Sequence, residues 1–452
     1  MLARMVEAGM DVARLNFSHG SAEEHAETAR LVRDAAGRAG RQVAILQDLP
    51  GPKLRIGKLR DGVVEFKPGD RTTFVCGAEN NGEGDASRLY ITYAGLASTV
   101  DDNEIMYLAD GAVRLRVTAV RAAEGEIDAE VEIGGSVASR QGLNIPGETA
   151  ALPAVPDEDL EHVRTGERIG VDLIALSFVR RAEDVTFLRK HTRLPLIAKI
   201  EKPQAVTRAE EIVRAADCVM VARGDLGIEL EIQEVPIVQK QIISLAGALA
   251  RPVITATQML ESMITSSRPT RAEVTDVANA ILDGTDAVML SAESAAGQFP
   301  VESVAMLASI ARRTEQTAPY RDWNERRVRR DRRDPAYTLA YTATRAAHEL
   351  GLAALVCPTL SGRSARLISA HRPTVPIYAL SPGRETVRRC GLMWGVQAAS
   401  MRRYEVTEEL IAAAAARVVE LGWCKKGDRV GITAGLPSGK PGTTSLLQIQ
   451  EV

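Results

Sequence analysis

Seven short apolar runs, each closed by a polar cluster, constrain this chain more than any other feature. They occupy residues 12–17, 43–47, 173–178, 196–200, 218–221, 253–256 and 287–290, and amphipathic stretches of helical periodicity follow them. Such alternation argues for a parallel sheet with helices outside. A closed (β/α)8 barrel needs eight strands, and the chain opens directly on a helix-like segment, LARMVEAGMD. The expected architecture is therefore α/β, a TIM barrel with its first strand missing before residue 1.

Between the second and third runs the texture changes. Residues 54–152 lack long helical periodicity and carry β-type alternation and turn signals, as in KPGDRTTFVCG, LADGAVRLRVTAV and EIDAEVEIGG. They read as a small β-barrel domain inserted into a barrel loop. From Tyr337 onward a second α/β pattern runs helix (TLAYTATRAAHELG), strand (AALVCPT), helix (SARLISAHRP), strand (PIYALSP), a helix of alanines at 411–419 and a final strand, RVGITAG. The expected division is 1–53 and 153–322 for the barrel, 54–152 for the insertion and 323–452 for the C-terminal domain. A length of 452 residues accommodates about three domains. The run RDWNERRVRRDRRDP reads as a solvated linker or helix face, with no stacking aromatic beyond Trp323.

A net charge of -3 argues against nucleic acid or a membrane surface as partner. No apolar run approaches the ~20 residues that span a bilayer, and the N-terminus has no secretory apolar core. The five scattered cysteines form no CxxC pair, which fits a reducing cytoplasm better than a disulfide scaffold or structural zinc.

In a barrel, groups at the C-terminal ends of strands converge on one site. The first end, ARLNFSHG, offers Arg14, Asn16 and Ser18 on one strand face, with His19 beyond. That set suits a phosphate or a bound cation, or else Ser18 or Ser21 merely caps the next helix. The second, QDLPGPKLRIG, offers Asp48, Lys53 and Arg55, with a rigid Pro-Gly-Pro exit. In AKIEKP, Lys199 and Glu201 point the same way from an apolar strand, which is costly unless functional. VMVARGDLG supplies Arg223, Gly224 and Asp225. ITATQMLESM supplies Thr257 and Gln258, its Met259 and Met263 reading as core. VMLSAES supplies Ser291 and Glu293, and core hydroxyls bonded to backbone remain the plain alternative for Thr257 and Ser291. Two acids for Mg2+, one lysine, two arginines and small hydroxyls, without a Cys–His or Ser–His–Asp set, match metal-assisted phosphoryl transfer. That chemistry needs positioning and charge neutralisation rather than a nucleophile.

These blocks, together with RPTRAEVTDVANAILDGTDAVMLSAES and SGRSARLISAHRP, resemble the pyruvate kinase family, in the right order and over nearly the whole chain. The resemblance implies a barrel, an inserted domain and a C-terminal regulatory domain, and phosphoryl transfer from phosphoenolpyruvate to ADP, giving pyruvate and ATP. It implies Lys199 as transition-state stabiliser and Glu201 and Asp225 as ligands of the catalytic Mg2+ (Mn2+ as an alternative), a second Mg2+ arriving with the nucleotide. Arg14 and Arg55 would hold phosphates. Gly224 and Thr257 would contact the phosphoenolpyruvate or pyruvate end. Asn16, His19 and Arg41 would stand on the nucleotide side, and Ser291 in the relay that protonates the enolate. Asn16, Ser18 and Asp48 match the family's monovalent-cation ligands. The segment DLPGPKLRI carries Leu49, Lys53 and Ile56, however, as in the potassium-independent branch, so the Lys53 ammonium is expected to replace K+. Gln141 stands where a Lys is usual, and Arg140 is its possible substitute. Thr359, Ser361, Arg363 and Ser364 lie between a strand and a helix start, and Lys440 follows in the tail loop. By resemblance they form a sugar-phosphate or nucleotide effector site in a homotetramer; the alternative is a capped helix without ligand. A Mg2+-dependent aldolase or lyase, and an inactive regulatory homologue, are the competing readings.

Overall fold

A computed structural model describes the chain apart from residues 53, 78–82, 92, 110, 146–152, 319, 321–333 and 436–443. Lys53, Lys440 and the arginine-rich run with Trp323 lie outside the described residues.

Strands β1 (Val12–Asn16) and β2 (Ala44–Asp48) open the chain. The insertion contributes β3 (Val63–Phe66), β4 (Arg71–Cys76), β5 (Arg88–Ile91), β6 (Ile105–Leu108), β7 (Val113–Arg121), β8 (Glu126–Ile133), β9 (Gly135–Ala138) and β10 (Leu143–Asn144). Then come β11 (Leu173–Leu176), β12 (Leu196–Ile200), β13 (Cys218–Ala222), β14 (Val253–Ala256) and β15 (Ala287–Met289). The C-terminal region adds β16 (Ala354–Pro358), β17 (Ile377–Ser381), β18 (Val396–Ser400), β19 (Arg429–Gly435) and β20 (Thr444–Glu451).

The seven expected runs form one parallel sheet in the order β1-β2-β11-β12-β13-β14-β15. Its five inner strands are buried along their whole length. The edges β1 and β15 are mostly half-buried and pair with no further strand among the described residues. The sheet thus curls as an incomplete barrel. Helices pack outside it. The helix Ala22–Arg38 starts at a capping box in which Ser21 accepts from Glu24 N and Glu24 reaches back to Ser21 N. Ser21 is therefore the cap, and Ser18 is left to the site.

In the insertion, six strands follow the order β10-β6-β7-β8-β4-β5, beside the pair β3-β9. Residues Arg55 and Ile56 bridge to both edges, at Gly142 and Ile91, and so close a small barrel. Its core contains Phe74, Leu89, Met106, Leu115 and Ile127, all fully buried. The C-terminal sheet, β18-β17-β16-β19-β20, is parallel except for the β19–β20 pair, with an apolar core on each face. The sequence reading ended this sheet at β19 and omitted β18. Both β18 and β20 are edge strands with mostly half-exposed residues, so neither shows a continuous apolar run.

Arg372 ties this last sheet to the barrel. It is 1% exposed, and its guanidinium reaches Asp286 Oδ1 at 2.8 Å and Gly284 O at 2.7 Å, with its Cζ 4.9 Å from the Trp394 ring centroid. Removing one partner of a buried ion pair leaves the other charge uncompensated, at about 3–5 kcal/mol. Arg372→Ala is expected to lower unfolding stability by that amount, read from the urea midpoint at unchanged slope.

Candidate active site

The C-terminal ends of β1, β2 and β12 bring together the charged residues that the sequence spread over 187 positions. In β1–β2 register, Asn16 stands opposite Asp48. Arg14 Nε donates to Asp48 Oδ2 at 2.6 Å. From β12, Lys199 places its ammonium 2.8 Å from Glu201 Oε1, 3.3 Å from Asp48 Oδ1 and 2.8 Å from Ser177 Oγ. Ser177 in turn donates to Leu49 O at 2.7 Å. Asp48, Lys199 and Glu201 are all buried.

Mutual compensation decides which charges survive. Burial opposes the Lys199 charge, but the Asp48, Glu201 and Asp225 carboxylates hold its pKa above the ordinary lysine value. Burial also favours neutral Asp48, yet Lys199 and Arg14 hold that carboxyl below the usual range. At Glu201 burial prevails: it pushes the carboxyl up, Lys199 pulling back and Asp225 adding to the rise.

Asp225 sits in the first turn of the helix Arg223–Glu229, directly after β13. Gly224 N donates to Thr257 Oγ1 at 2.7 Å. Thr257 and Gln258 have φ of 70° and 53°, and left-handed backbone in a β-branched residue is an outlier. Arg223 braces this turn, donating to Ala256 O at 3.2 Å and Thr257 O at 2.6 Å while Asp276 holds its other arm at 2.8 Å. Buried Glu293 links the next two loops, accepting from Leu260 N at 3.1 Å and Ser291 N at 2.7 Å. Met259 and Met263 are fully buried core.

The connection leading into the insertion meets the site at Phe178. Gly51 has φ of +68°, and a Cβ there would lie 2.9 Å from the Phe178 ring, so no larger residue fits. Phe178 N donates to Glu201 Oε2 at 2.7 Å. Lys202 Nζ lies 5.9 Å from the Phe178 ring centroid, 2.6 Å from Glu229 Oε1 and 3.5 Å from Ile145 O. Gly51 N donates to Asp159 Oδ2 at 3.1 Å, and burial pushes the Asp159 carboxyl up to about 7. The sequence reading missed Ser177, Phe178, Asp159, Lys202 and Glu229. The end of the third run at Ser177–Phe178 was available as a signal, whereas nothing local marks Asp159 or Glu229.

The remaining expected residues divide. Ser18 N donates to Asn16 Oδ1 at 3.2 Å, close to Asp48. His19 is exposed in the turn after β1, outside the ion-pair network. Arg55 lies on the insertion, its Nη1 donating to Arg140 O at 3.2 Å, and the Gln141 side chain accepts from Ala138 N at 2.7 Å. The expectation for Arg41 is corrected. It precedes β2, at the opposite end of the sheet, where it holds Val6 O at 2.7 Å and Asp11 at 2.8 Å and cannot reach the site. In the C-terminal domain, Thr359 accepts from Gly362 N at 3.0 Å, Arg363 pairs with Asp334, and Ser364 shares a 2.6 Å hydrogen bond with Thr444. Ser361 is exposed.

Among the described residues no three His, Cys, Asp or Glu side chains group around one metal position. Glu201 and Asp225 are two hard carboxylates, and this pair suits Mg2+, which takes one or two carboxylates and completes its shell with substrate oxygens and water. No described helix is long and apolar enough to cross a membrane.

Two family models match the chain: "Pyruvate kinase, barrel domain" over residues 1–304 and "Pyruvate kinase, alpha/beta domain" over 337–450. The chain is 42% identical over 457 residues to the pyruvate kinase of Geobacillus stearothermophilus, an alignment that covers all of this chain and 77% of the relative. It is 39% identical to the pyruvate kinases of Staphylococcus saprophyticus and Staphylococcus aureus, covering 100% of the chain and 78% of each. Matches of this extent, on a sheet that gathers Lys199, Glu201 and Asp225 at one end, establish that the chain belongs to the pyruvate kinase family of phosphotransferases.

Proposed function

We infer that the Lys199 ammonium neutralises the phosphoryl group as it passes from phosphoenolpyruvate to ADP. The chain performs this glycolytic transfer, giving pyruvate and ATP, as a pyruvate kinase. The observation that carries the role of Lys199 is its buried ammonium, fixed by three oxygens at the mouth of the sheet. A cation held in place before the reaction stabilises developing charge without reorganisation.

The other roles rest on the same placement. Arg14 and Arg55 hold phosphate oxygens. The Gly224–Thr257 turn receives the carboxylate and reacting end of phosphoenolpyruvate, its strain of the order of ~1–3 kcal/mol borne by Arg223. Ser291, beside Thr257's loop through Glu293, passes a proton toward the enolate. Asn16 and His19 contact the nucleotide. Glu201 and Asp225 would hold Mg2+ or Mn2+, which when bound neutralises charge on the phosphoryl oxygens. Closure of the insertion, residues 54–152, excludes water. Asn16, Ser18 and Asp48 form the monovalent-cation pocket, with Lys53 taking the place of K+. Thr359, Ser361, Arg363 and Ser364 form a sugar-phosphate or nucleotide effector site in a cytoplasmic homotetramer. In support of that site, they cluster at the junction of β16 and the helix Arg363–Ala370.

Lys199→Met is expected to lower kcat for pyruvate formation by at least ~10²-fold with unchanged circular dichroism; near-normal turnover would remove Lys199 from the chemistry. Activity in buffer free of K+ is expected to be full and unchanged by added K+, and strict dependence on K+ would overturn the reading of Lys53. Asp159 titrates higher in the folded chain than its ordinary value of 3.8. Between about pH 4 and pH 7 the folded state therefore holds the extra proton, and the wild type loses stability as pH rises through that window. Asp159→Asn removes this loss, so its stability relative to wild type should increase from pH 5 to pH 8 in urea unfolding.

A further inference from the structure

At the end of the sheet opposite the active site, a cavity of about 300 Å³ opens between the barrel and the C-terminal domain. Arg33, Arg41 and Gln42 line it from the barrel, and Arg384, Arg388 and Ser400 from the other side; no carboxylate lines it. The arginines are held in position. Asp172, 1% exposed, receives Arg33 Nη2 at 2.5 Å, Arg388 Nε at 2.8 Å and Ile45 N at 2.8 Å. Arg33 Nη1 donates to Val43 O at 2.6 Å, and Arg41 pairs with Asp11 at 2.8 Å. Four guanidinium groups against two carboxylates leave two positive charges unbalanced. Among the described residues, Arg384 has no partner and Arg388 uses only its Nε, leaving both Nη atoms for an anion.

We propose that this cavity binds a tetrahedral dianion, phosphate or a small phosphomonoester, clasped by Arg384 and Arg388 with Arg33 and Ser400 completing the shell. Guanidinium forks match phosphate oxygens in pairs. The volume lies at the lower limit of the ~300–1,000 Å³ typical of small-molecule sites, which favours a ligand no larger than a short phosphorylated metabolite. Such a ligand cross-links the two domains at the foot of β2, whose other end carries Asp48.

The test uses crystals of the full chain soaked in tungstate, a heavy analogue of phosphate, and calorimetric titration with inorganic phosphate and with glycerol 3-phosphate. An anomalous peak between Arg384 and Arg388 is expected, together with one binding site more per chain in the wild type than in Arg384→Glu. Arg384 is exposed and unpaired, so that variant retains the fold. Tighter binding of glycerol 3-phosphate than of phosphate assigns a phosphomonoester, and equal binding assigns phosphate itself. Tungstate confined to Lys199 or to residues 359–364, or equal site counts in wild type and Arg384→Glu, overturns the proposal. Because the readouts are binding and location, they do not depend on the roles given to the active-site residues.

Discussion

An ammonium withdrawn from water must find its counter-charges in the protein, and the architecture of the barrel mouth follows from how Lys199 finds them. Its partners come from three places: Asp48 from a neighbouring part of the sheet, Glu201 two residues on, and Ser177 from the strand between. None of these suffices alone, because a buried charge with a single distant partner is strongly unfavourable. Together they require β2, β11 and β12 to be adjacent and in one register, which the parallel pairing supplies. The insertion leaves the sheet directly after Asp48, so the exit of a whole domain is fixed by the same pair of strands.

The barrel and the charged strand ends were legible because each is written in a short stretch of chain. A continuous apolar run reports burial on both sides, and Lys199 and Glu201 stand out by interrupting that expectation. The edges were not legible for the same reason: β18 and β20 bury only part of their side chains, and their pattern approaches that of a loop. Arg41 misled because charge and proximity in sequence carry no information on strand polarity. Seven residues separate it from Asp48, a strand's length that places the two at opposite ends of the sheet. Asp159, Phe178 and Glu229 were invisible for a different reason. Their significance lies in contacts made across 23 to 108 residues, and no periodicity encodes those.

Strain and bracing are distributed unevenly around the mouth. The turn at Thr257 and Gln258 holds two consecutive residues in left-handed backbone, and it persists because Arg223 spans it and Asp276 anchors Arg223. Over-determination of this kind is how a fold keeps a carbonyl and a hydroxyl aimed away from their relaxed directions. By contrast, His19 is exposed and Arg55 lies on the insertion, its Nη1 donating to Arg140 O.

The outgoing crossing into the insertion passes beside one aromatic ring at Gly51. A Cβ on Gly51 would lie 2.9 Å from Phe178 Cδ2, Lys202 spans from near that ring toward Ile145, and the Phe178 amide is bonded to Glu201. The residue that bounds the exit of the insertion and the residue that holds a carboxylate at the mouth of the barrel are thus one and the same, Phe178, with its ring turned to the first task and its amide to the second.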